Sequence, residues 1–459
     1  MTGLGTESRP LRVAIVGAGP SGFYAADALF KSSISVSVDC FDRLPTPFGL
    51  LRGGVAPDHQ KMKSVGAYYD RVAVANEGRF RFFGNVTVGV DISIDELRRY
   101  YDAIIVSMGA QSDRKLGIPG EDLPGVHAAT EFVGWYNGHP DYQHLTFDLS
   151  QETVVVVGQG NVAIDVTRIL AKPIEALRKT DIPESILDQL AQSRVRNIHL
   201  IGRRGPVQSA FTELEIKEFG ELPGIRVVID PADMRLNDAS DAELLTETNT
   251  KARKNMAVLQ RYLDDPILEG DKTVTIRFLE SPVEIQGASH VERIVLEKNK
   301  LSGDPGKQQA NGTGDTISLD AGLVFKSIGY KGVPMPGLPF DDKAGVIPNQ
   351  KGQVINDPSV YVAGWIKRGP KGVLGTNKPC STETVETLLS NLGHLQGCDH
   401  PRESEIEKVL EQRGIQWVSY QDWKLIDHLE KENGEKLGKP REKFVSVGDI
   451  LAALRRVNA

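Results

Sequence analysis

Two glycine clusters hold the clearest chemistry in this chain. Gly17-Ala18-Gly19-Pro20-Ser21-Gly22 follows the apolar run Val13-Ala14-Ile15-Val16, and Gly158-Gln159-Gly160-Asn161-Val162-Ala163 follows Val154-Val155-Val156-Val157. In each, the first glycine permits a tight turn and the second lets a pyrophosphate approach the backbone. A third small residue lets the helix pack closely on the strand. Free N–H groups and the dipole at the helix start attract the anion. One such G-x-G-x-x-G is a weak signal, but both lie between a buried-type strand and a helix pattern, the context that binding requires. Two of them predict two dinucleotides, and two dinucleotides in one chain suggest electrons passing between them.

Residues further along each unit choose the dinucleotide. Asp42 ends the run Val36-Ser37-Val38-Asp39-Cys40-Phe41, about 20 residues past the glycines, where an acid binds ribose hydroxyls. A carboxylate there suits the free 2′-hydroxyl of FAD or NAD and repels a 2′-phosphate; the alternative is a surface acid after a strand. The second unit places Arg203 and Arg204 after its next strand, at Ile201-Gly202-Arg203-Arg204-Gly205. Two guanidiniums favour a phosphate through charge-assisted, often bidentate bonds, which points to NADP. They lie ~40 residues past the fingerprint, so an inserted helical segment is expected; the alternative is a solvated arginine pair.

The elements that must position these residues follow from periodicity. Strand 12–16, helix 21–31 and strand 35–41 read as half of a doubly wound sheet. A helix after Pro57-Asp58 carries Met62, Val65, Tyr69 and Val72 on one face, Ser93-x-x-Glu96 is a capping box, and strand 103–107 ends at Met108-Gly109-Ala110. The second unit continues with a helix from Asn161, helical sequence to about Arg194, and strand 197–201. Further strands are expected at 226–229, 273–279 and 293–297. The polar segment 303–315 reads as an exposed, mobile loop. Pro334 to Phe340 marks a crossing between domains, Val360-Tyr361-Val362-Ala363-Gly364 is again strand then glycine, and the tail from Ser404 is charged and helical.

Bulk composition narrows the class. The 459 residues are 40% hydrophobic and 25% charged, ordinary for a soluble globular protein. No uncharged run approaches the ~18 residues that would span a bilayer. The opening Met1 to Pro10 is too short and polar for a signal peptide, so a cytoplasmic location is expected. Cys40, Cys380 and Cys398 form no C-x-x-C, which argues against structural zinc, an iron–sulfur cluster of the chain's own and a redox dithiol. No metal site is expected. A net charge of −7 disfavours generic nucleic-acid binding.

At Pro45-Thr46-Pro47-Phe48-Gly49-Leu50-Leu51-Arg52-Gly53-Gly54-Val55-Ala56-Pro57-Asp58-His59 the sequence resembles adrenodoxin reductase and its bacterial counterparts, the adrenodoxin-reductase-type ferredoxin–NADP reductases. The resemblance continues through Gly158 to Asp165, Gly202 to Pro206, Val362 to Pro370 and Gly372-Val373-Leu374-Gly375-Thr376-Asn377. It implies an α/β fold of two Rossmann-like dinucleotide-binding domains, with the NADP domain (111–330) inserted into a discontinuous FAD domain (1–110 and 331–459). FAD contacts are then implied at Ser21, Asp42, Leu50, Val88, Trp365 and the backbone of Gly372, Val373 and Leu374. NADP contacts are implied at Gln159, Gly160, Asn161, Val162, Arg203, Arg204, Glu215 and Gly372. Trp365 stands where many two-dinucleotide flavoproteins place Asp. The implied activity is hydride transfer from NADPH to FAD, followed by single-electron transfer to a ferredoxin-like iron–sulfur protein. An NADPH diaphorase or quinone reductase, or an electron-input subunit of a larger complex, are the alternatives.

Three titratable residues are candidates for adjusting that chemistry, although hydride transfer itself needs no protein acid or base. His59 is placed either to tune the flavin or relay a proton, or simply to hold its loop. Asp165 either faces the nicotinamide or is a helix-surface carboxylate, and Glu218, near Glu215, either lines the same cleft or does not. Phe132-Val133-Gly134-Trp135-Tyr136-Asn137-Gly138-His139 mimics a flavin-monooxygenase motif with its histidine one residue late. Lys251, Lys254 and Arg261 share a helix face by spacing and form either the best patch for an acidic ferredoxin or a solvated face.

Overall fold

The computed structural model describes residues 3–265 and 270–457. A seven-stranded sheet runs Asn349–Gln350, Gln353–Val354, Val360–Val362, Ala103–Val106, Leu11–Val16, Val36–Asp42, Phe80–Gly84, and its last five strands are parallel. A six-stranded parallel sheet runs Val126–Ala128, Leu323–Lys326, Thr153–Val157, Asn197–Ile201, Lys272–Arg277, Ile225–Ile229. The first sheet thus draws on both ends of the chain and the second on its middle. The two crossings between them lie side by side, where Ser112–Asp113 pairs antiparallel with Tyr330–Lys331.

Strands covered on both faces need continuous apolar runs, because successive side chains point to opposite sides. Val13 and Ile15 join one cluster with Phe23 and Tyr69, while Ala14 and Val16 join another with Phe41 and Phe83. The second sheet repeats the arrangement. Val154 and Val156 pack with Phe132 and Ile164, and Val155 and Val157 pack with Ile294 and Leu296 of a three-stranded antiparallel sheet. Helix Pro20–Phe30 follows the first fingerprint, with Pro20 in its first turn, and packs on Asn377–Ser390. Helix Asn161–Ala171 follows the second.

Two expectations change. The exposed loop expected over 303–315 is confined to the turn 303–308, and from Gln309 the chain is a strand, Gln309–Asp320, paired with Arg293–Ser302. Most of its side chains are exposed, so its polar composition is that of an outward hairpin arm whose partner strand satisfies the backbone. The single helix after Asp58 is two, Gln60–Lys63 and Gly66–Val74; Tyr69 and Val72 are buried but Met62 is exposed. The C-terminal helices Glu403–Gln412, Tyr420–Lys436 and Val447–Val457 close over the first sheet. Val418 and Gly84 exchange backbone hydrogen bonds at the sheet's outer strand, which covers part of an otherwise open edge. Among the described residues no helix is long and apolar enough to cross a membrane.

Candidate active site

The first fingerprint is packed at its ends and open in the middle. Gly17 has φ +106°, and a Cβ on it would lie 2.8 Å from the Ser107 carbonyl oxygen; one on Gly22 would lie 2.3 Å from the Gly17 oxygen. A Cβ on Gly19 would meet only Gly49 Cα, at 3.9 Å. The backbone is therefore bare where a pyrophosphate approaches. Asp42 accepts the Ala18 N–H at 2.8 Å and the Leu44 N–H at 3.0 Å. Burial raises its pKa against those two bonds, and its remaining lone pairs stay available as acceptors. Leu50, 39% exposed, follows Gly49 on the loop facing Gly19.

Residues far along the chain complete this cradle. Gly364 packs so tightly on Ser21 that a Cβ would lie 2.1 Å from its hydroxyl oxygen. The next residue, Trp365, has its ring 5.3 Å from that of Tyr330. Its Nε1 is buried and has no acceptor among the described residues. Arg368 braces the following loop by donating to Thr376 Oγ1 (3.0 Å) and Asn377 Oδ1 (2.7 Å). That leaves Gly372 at φ +88° and Val373 exposed. Val88 is buried in the cluster with Val16 and Phe41.

The second fingerprint repeats the pattern. Gly158, at φ +133°, would place a Cβ 2.2 Å from the Ser327 oxygen, while Gly160 has nothing within 4 Å. The Gln159 carbonyl accepts N–H bonds from Ala210 and Phe211 at 2.9 Å, and Asn161 Oδ1 accepts the Thr212 N–H at 2.9 Å. These bonds bring helix Glu213–Glu218 beside the glycine loop. Arg203 and Arg204 leave the end of Asn197–Ile201 with exposed side chains. Their carbonyls are anchored by Asn299 Nδ2 (3.0 Å) and the Leu279 N–H (3.1 Å), so the backbone is fixed while the guanidiniums face outward.

Between the two cradles lies a buried charge cluster centred on Arg168. Its guanidinium reaches Asp58 (2.8 Å), Asp165 (2.7 Å), Glu215 (3.1 Å) and Glu218 (3.1 Å). Burial opposes its charge, but these carboxylates outweigh burial and raise its pKa. His59 Nε2 lies 3.2 Å from Glu218 Oε1 and 3.7 Å from Glu215 Oε2. Desolvation lowers the His59 pKa, but the Glu218 bond and the charges of Asp165 and Glu215 raise it further, so the net direction is upward. Burial raises Asp165, and it raises Glu215 to about 7, with Asp165 adding to the effect. Glu218 is lowered, since the His59 bond and Arg168 overcome its burial. His59, Glu215 and Glu218 converge within 4.8 Å in a manner that suits a cation; Arg168 already supplies one.

Residues 11–253 match the family model described as pyridine nucleotide-disulphide oxidoreductase. The Mycobacterium tuberculosis protein named NADPH-ferredoxin reductase FprA is 46% identical over 455 residues, covering 96% of this chain and 99% of its own. Human mitochondrial NADPH:adrenodoxin oxidoreductase is 42% identical over 465 residues, covering 98% and 93%. This chain belongs to the adrenodoxin-reductase type of ferredoxin–NADP reductase. The structure of M. tuberculosis FprA in complex with NADPH superposes with a TM-score of 0.92 at 45% identity, covering 97% of this chain and 100% of that one. The fold class expected from the fingerprints is therefore correct. Unlike the disulphide enzymes of the broader family's name, this reductase has three free cysteines and no C-x-x-C.

In this reductase Ser21, Asp42, Leu50 and Trp365 gather at the first cradle, and Gln159 to Val162 with Arg203 and Arg204 at the second. His59, Asp165, Glu215 and Glu218 form one cluster between them. Sequence reasoning missed Asp58 and Arg168, which organise that cluster. The available signal was an arginine one turn after Asp165 in the apolar pattern of helix Asn161–Ala171, where it is fully buried. The cationic helix also differs from a uniform patch: Lys254 pairs with Glu213 at 3.4 Å, whereas Lys251 donates to the Ala210 carbonyl at 2.5 Å.

Proposed function

We propose that this protein is an NADPH:ferredoxin oxidoreductase with FAD at the first cradle and NADPH at the second. The carrying observation is a pair of glycine loops, each bare at its middle glycine, of which only the second is followed by outward-facing arginines. FAD bound at the first cradle supplies the conversion between the two electrons of NADPH and the single electrons a ferredoxin accepts. Residues 1–110 and 331–459 form the FAD unit in this reading and 111–330 the NADP unit; the separate sheets and paired crossings support that division.

Gly17, Gly19, Pro20, Ser21 and Gly22 receive the FAD pyrophosphate at the helix start, Asp42 accepts from a ribose hydroxyl, and Leu50, Val88, Trp365 and Gly372 to Leu374 enclose the rest. Gln159 to Val162 hold the NADPH pyrophosphate, Arg203 and Arg204 its 2′-phosphate, and Glu215 its ribose side. His59 and Glu218 share a proton-bearing hydrogen bond between the units, and Arg168 orients Glu218 and Asp165 around it. Lys254 and Arg261, both exposed on helix Thr250–Asp264, offer positive charge to an acidic ferredoxin.

The test is NADPH-driven cytochrome c reduction by the holoenzyme, with and without the host's ferredoxins. Strong stimulation by one ferredoxin is expected. Turnover with ferricyanide and quinones that no ferredoxin stimulates would establish a diaphorase instead.

A further inference from the structure

Lys251 is exposed on helix Thr250–Asp264, but its ammonium is tied down rather than extended into solvent. Its ammonium reaches back to the Ala210 carbonyl at 2.5 Å, and the Ala210 N–H is held by the carbonyl of Gln159 in the second fingerprint. The lysine is thus hung on the nucleotide loop through one residue, Ala210. A cavity of about 210 Å³ opens beside it, with Arg204, Gln208, Asn249, Lys251 and Glu243 on its walls.

The charges on those walls are unbalanced. Glu243, the one acid among them, is engaged by Gln208 Nε2 at 2.9 Å and the Gly306 N–H at 3.2 Å. Arg204 and Lys251 face the same space, and neither has a carboxylate within 4 Å among the described residues. Two cations facing one cavity with a single, already engaged carboxylate leave a net positive charge there, and an anion placed between them is attracted by both. Partial desolvation lowers the Lys251 pKa, and a bound dianion would raise it again. A phosphate monoester carries about −1.5 to −2 near neutral pH and would be attracted by both Arg204 and Lys251 on these walls.

We propose that Lys251 is a third cation of the nucleotide site, binding the 2′-phosphate of NADPH from the helix side of the cavity and contributing to preference over NADH. This rests on the reading of Arg203 and Arg204 as 2′-phosphate ligands.

Calorimetric titration of the holoenzyme with 2′,5′-ADP, 5′-AMP and inorganic phosphate tests it, using Lys251→Gln, Arg204→Gln and, on the C-terminal helix Glu403–Gln412 that packs on the first sheet, Lys408→Gln. Lys251→Gln should weaken 2′,5′-ADP about 10- to 150-fold, as expected for losing one charged hydrogen bond, and leave 5′-AMP unchanged. The ratio of kcat/KM for NADPH over NADH should fall in the same proportion, and Lys408→Gln should match the parent. If Arg204→Gln loses 2′,5′-ADP while Lys251→Gln binds it normally, the arginine reading stands and the lysine proposal fails. Unchanged binding in both variants would overturn the two together. Inorganic phosphate binding that depends on Lys251 while 2′,5′-ADP does not would mark a free-phosphate site and also overturn the proposal.

Discussion

Glu215 is the residue whose chemistry depends most on its surroundings. A free glutamate titrates near ~4.3, whereas burial and the neighbouring Asp165 raise this one to about 7. The folded state therefore binds its proton more tightly than the unfolded chain. The stability gained from that proton is complete below the unfolded pKa and is lost as pH rises through about 7. Glu215→Gln keeps the shape and removes the titration. The variant should gain on the parent by about 1–3 kcal/mol between pH 5 and pH 8, whatever the offset from its changed bond to Arg168. Urea unfolding at the two pH values measures this, and a constant offset would show that Glu215 titrates normally. Arg168 allows no such mild exchange, because removing it would leave four carboxylates in one cluster with only Lys172 and His59 beside them.

At the scale of elements, each strand–glycine–helix unit divides its work between glycines that look alike in sequence. Gly158 needs its conformation: φ is +133° and a side chain would collide with the Ser327 carbonyl. Gly160 needs only its empty side, since its φ is −97° and nothing lies within 4 Å of a Cβ. Gly160→Val should thus fold with a melting temperature close to the parent's and yet bind NADP+ at least tenfold more weakly. Gly158→Val should lose folding stability by several kcal/mol, from backbone strain and the collision together. Thermal unfolding paired with NADP+ titration separates them, and equal melting temperatures for the two variants would refute the division. The hairpin Arg293–Ser302 with Gln309–Asp320 shows a different limit at this scale. Only its end alternates, with Ile317 and Leu319 packed against the core between Thr316, Ser318 and Asp320; its polar first half is a strand because Arg293–Ser302 pairs with it.

Across the whole molecule, charge pairs stitch the two sheet units together. Asp58 meets Arg168 and Lys172 at 2.8 Å, and Asp181 meets Lys63 at 2.8 Å and the buried Lys443 at 3.1 Å. The docking of a third partner belongs to this scale too. A chain of net charge −7 repels an acidic ferredoxin unless a local positive surface steers it. Lys254 and Arg261 are the candidates that remain once Lys251 is drawn to the nucleotide cavity. Charge reversal at both, Lys254→Glu with Arg261→Glu, should lower ferredoxin-dependent turnover several-fold and leave ferricyanide reduction unchanged. The parent's ferredoxin rate should also fall with added salt, because exposed charges are screened beyond ~10 Å at 0.1 M. Unchanged ferredoxin kinetics in the double variant would remove this helix from the docking surface.

Local sequence determined the buried parallel strands, the two helices that follow the fingerprints and the glycine loops. A buried parallel strand must be apolar throughout, and a loop that meets a phosphate must lack side chains, and both demands are written in neighbouring residues. The family followed from ordered motifs such as Pro45 to His59 for the same reason. Tertiary structure alone decided that Asp58, Asp165, Glu215 and Glu218 share one arginine, and that His59 meets Glu218 across 159 positions of chain. It also decided that the exposed Lys251 lines one cavity with Arg204. Charges act through space and leave no periodic trace along the chain, so their partners became visible only when two sheets had brought distant segments within a few ångströms.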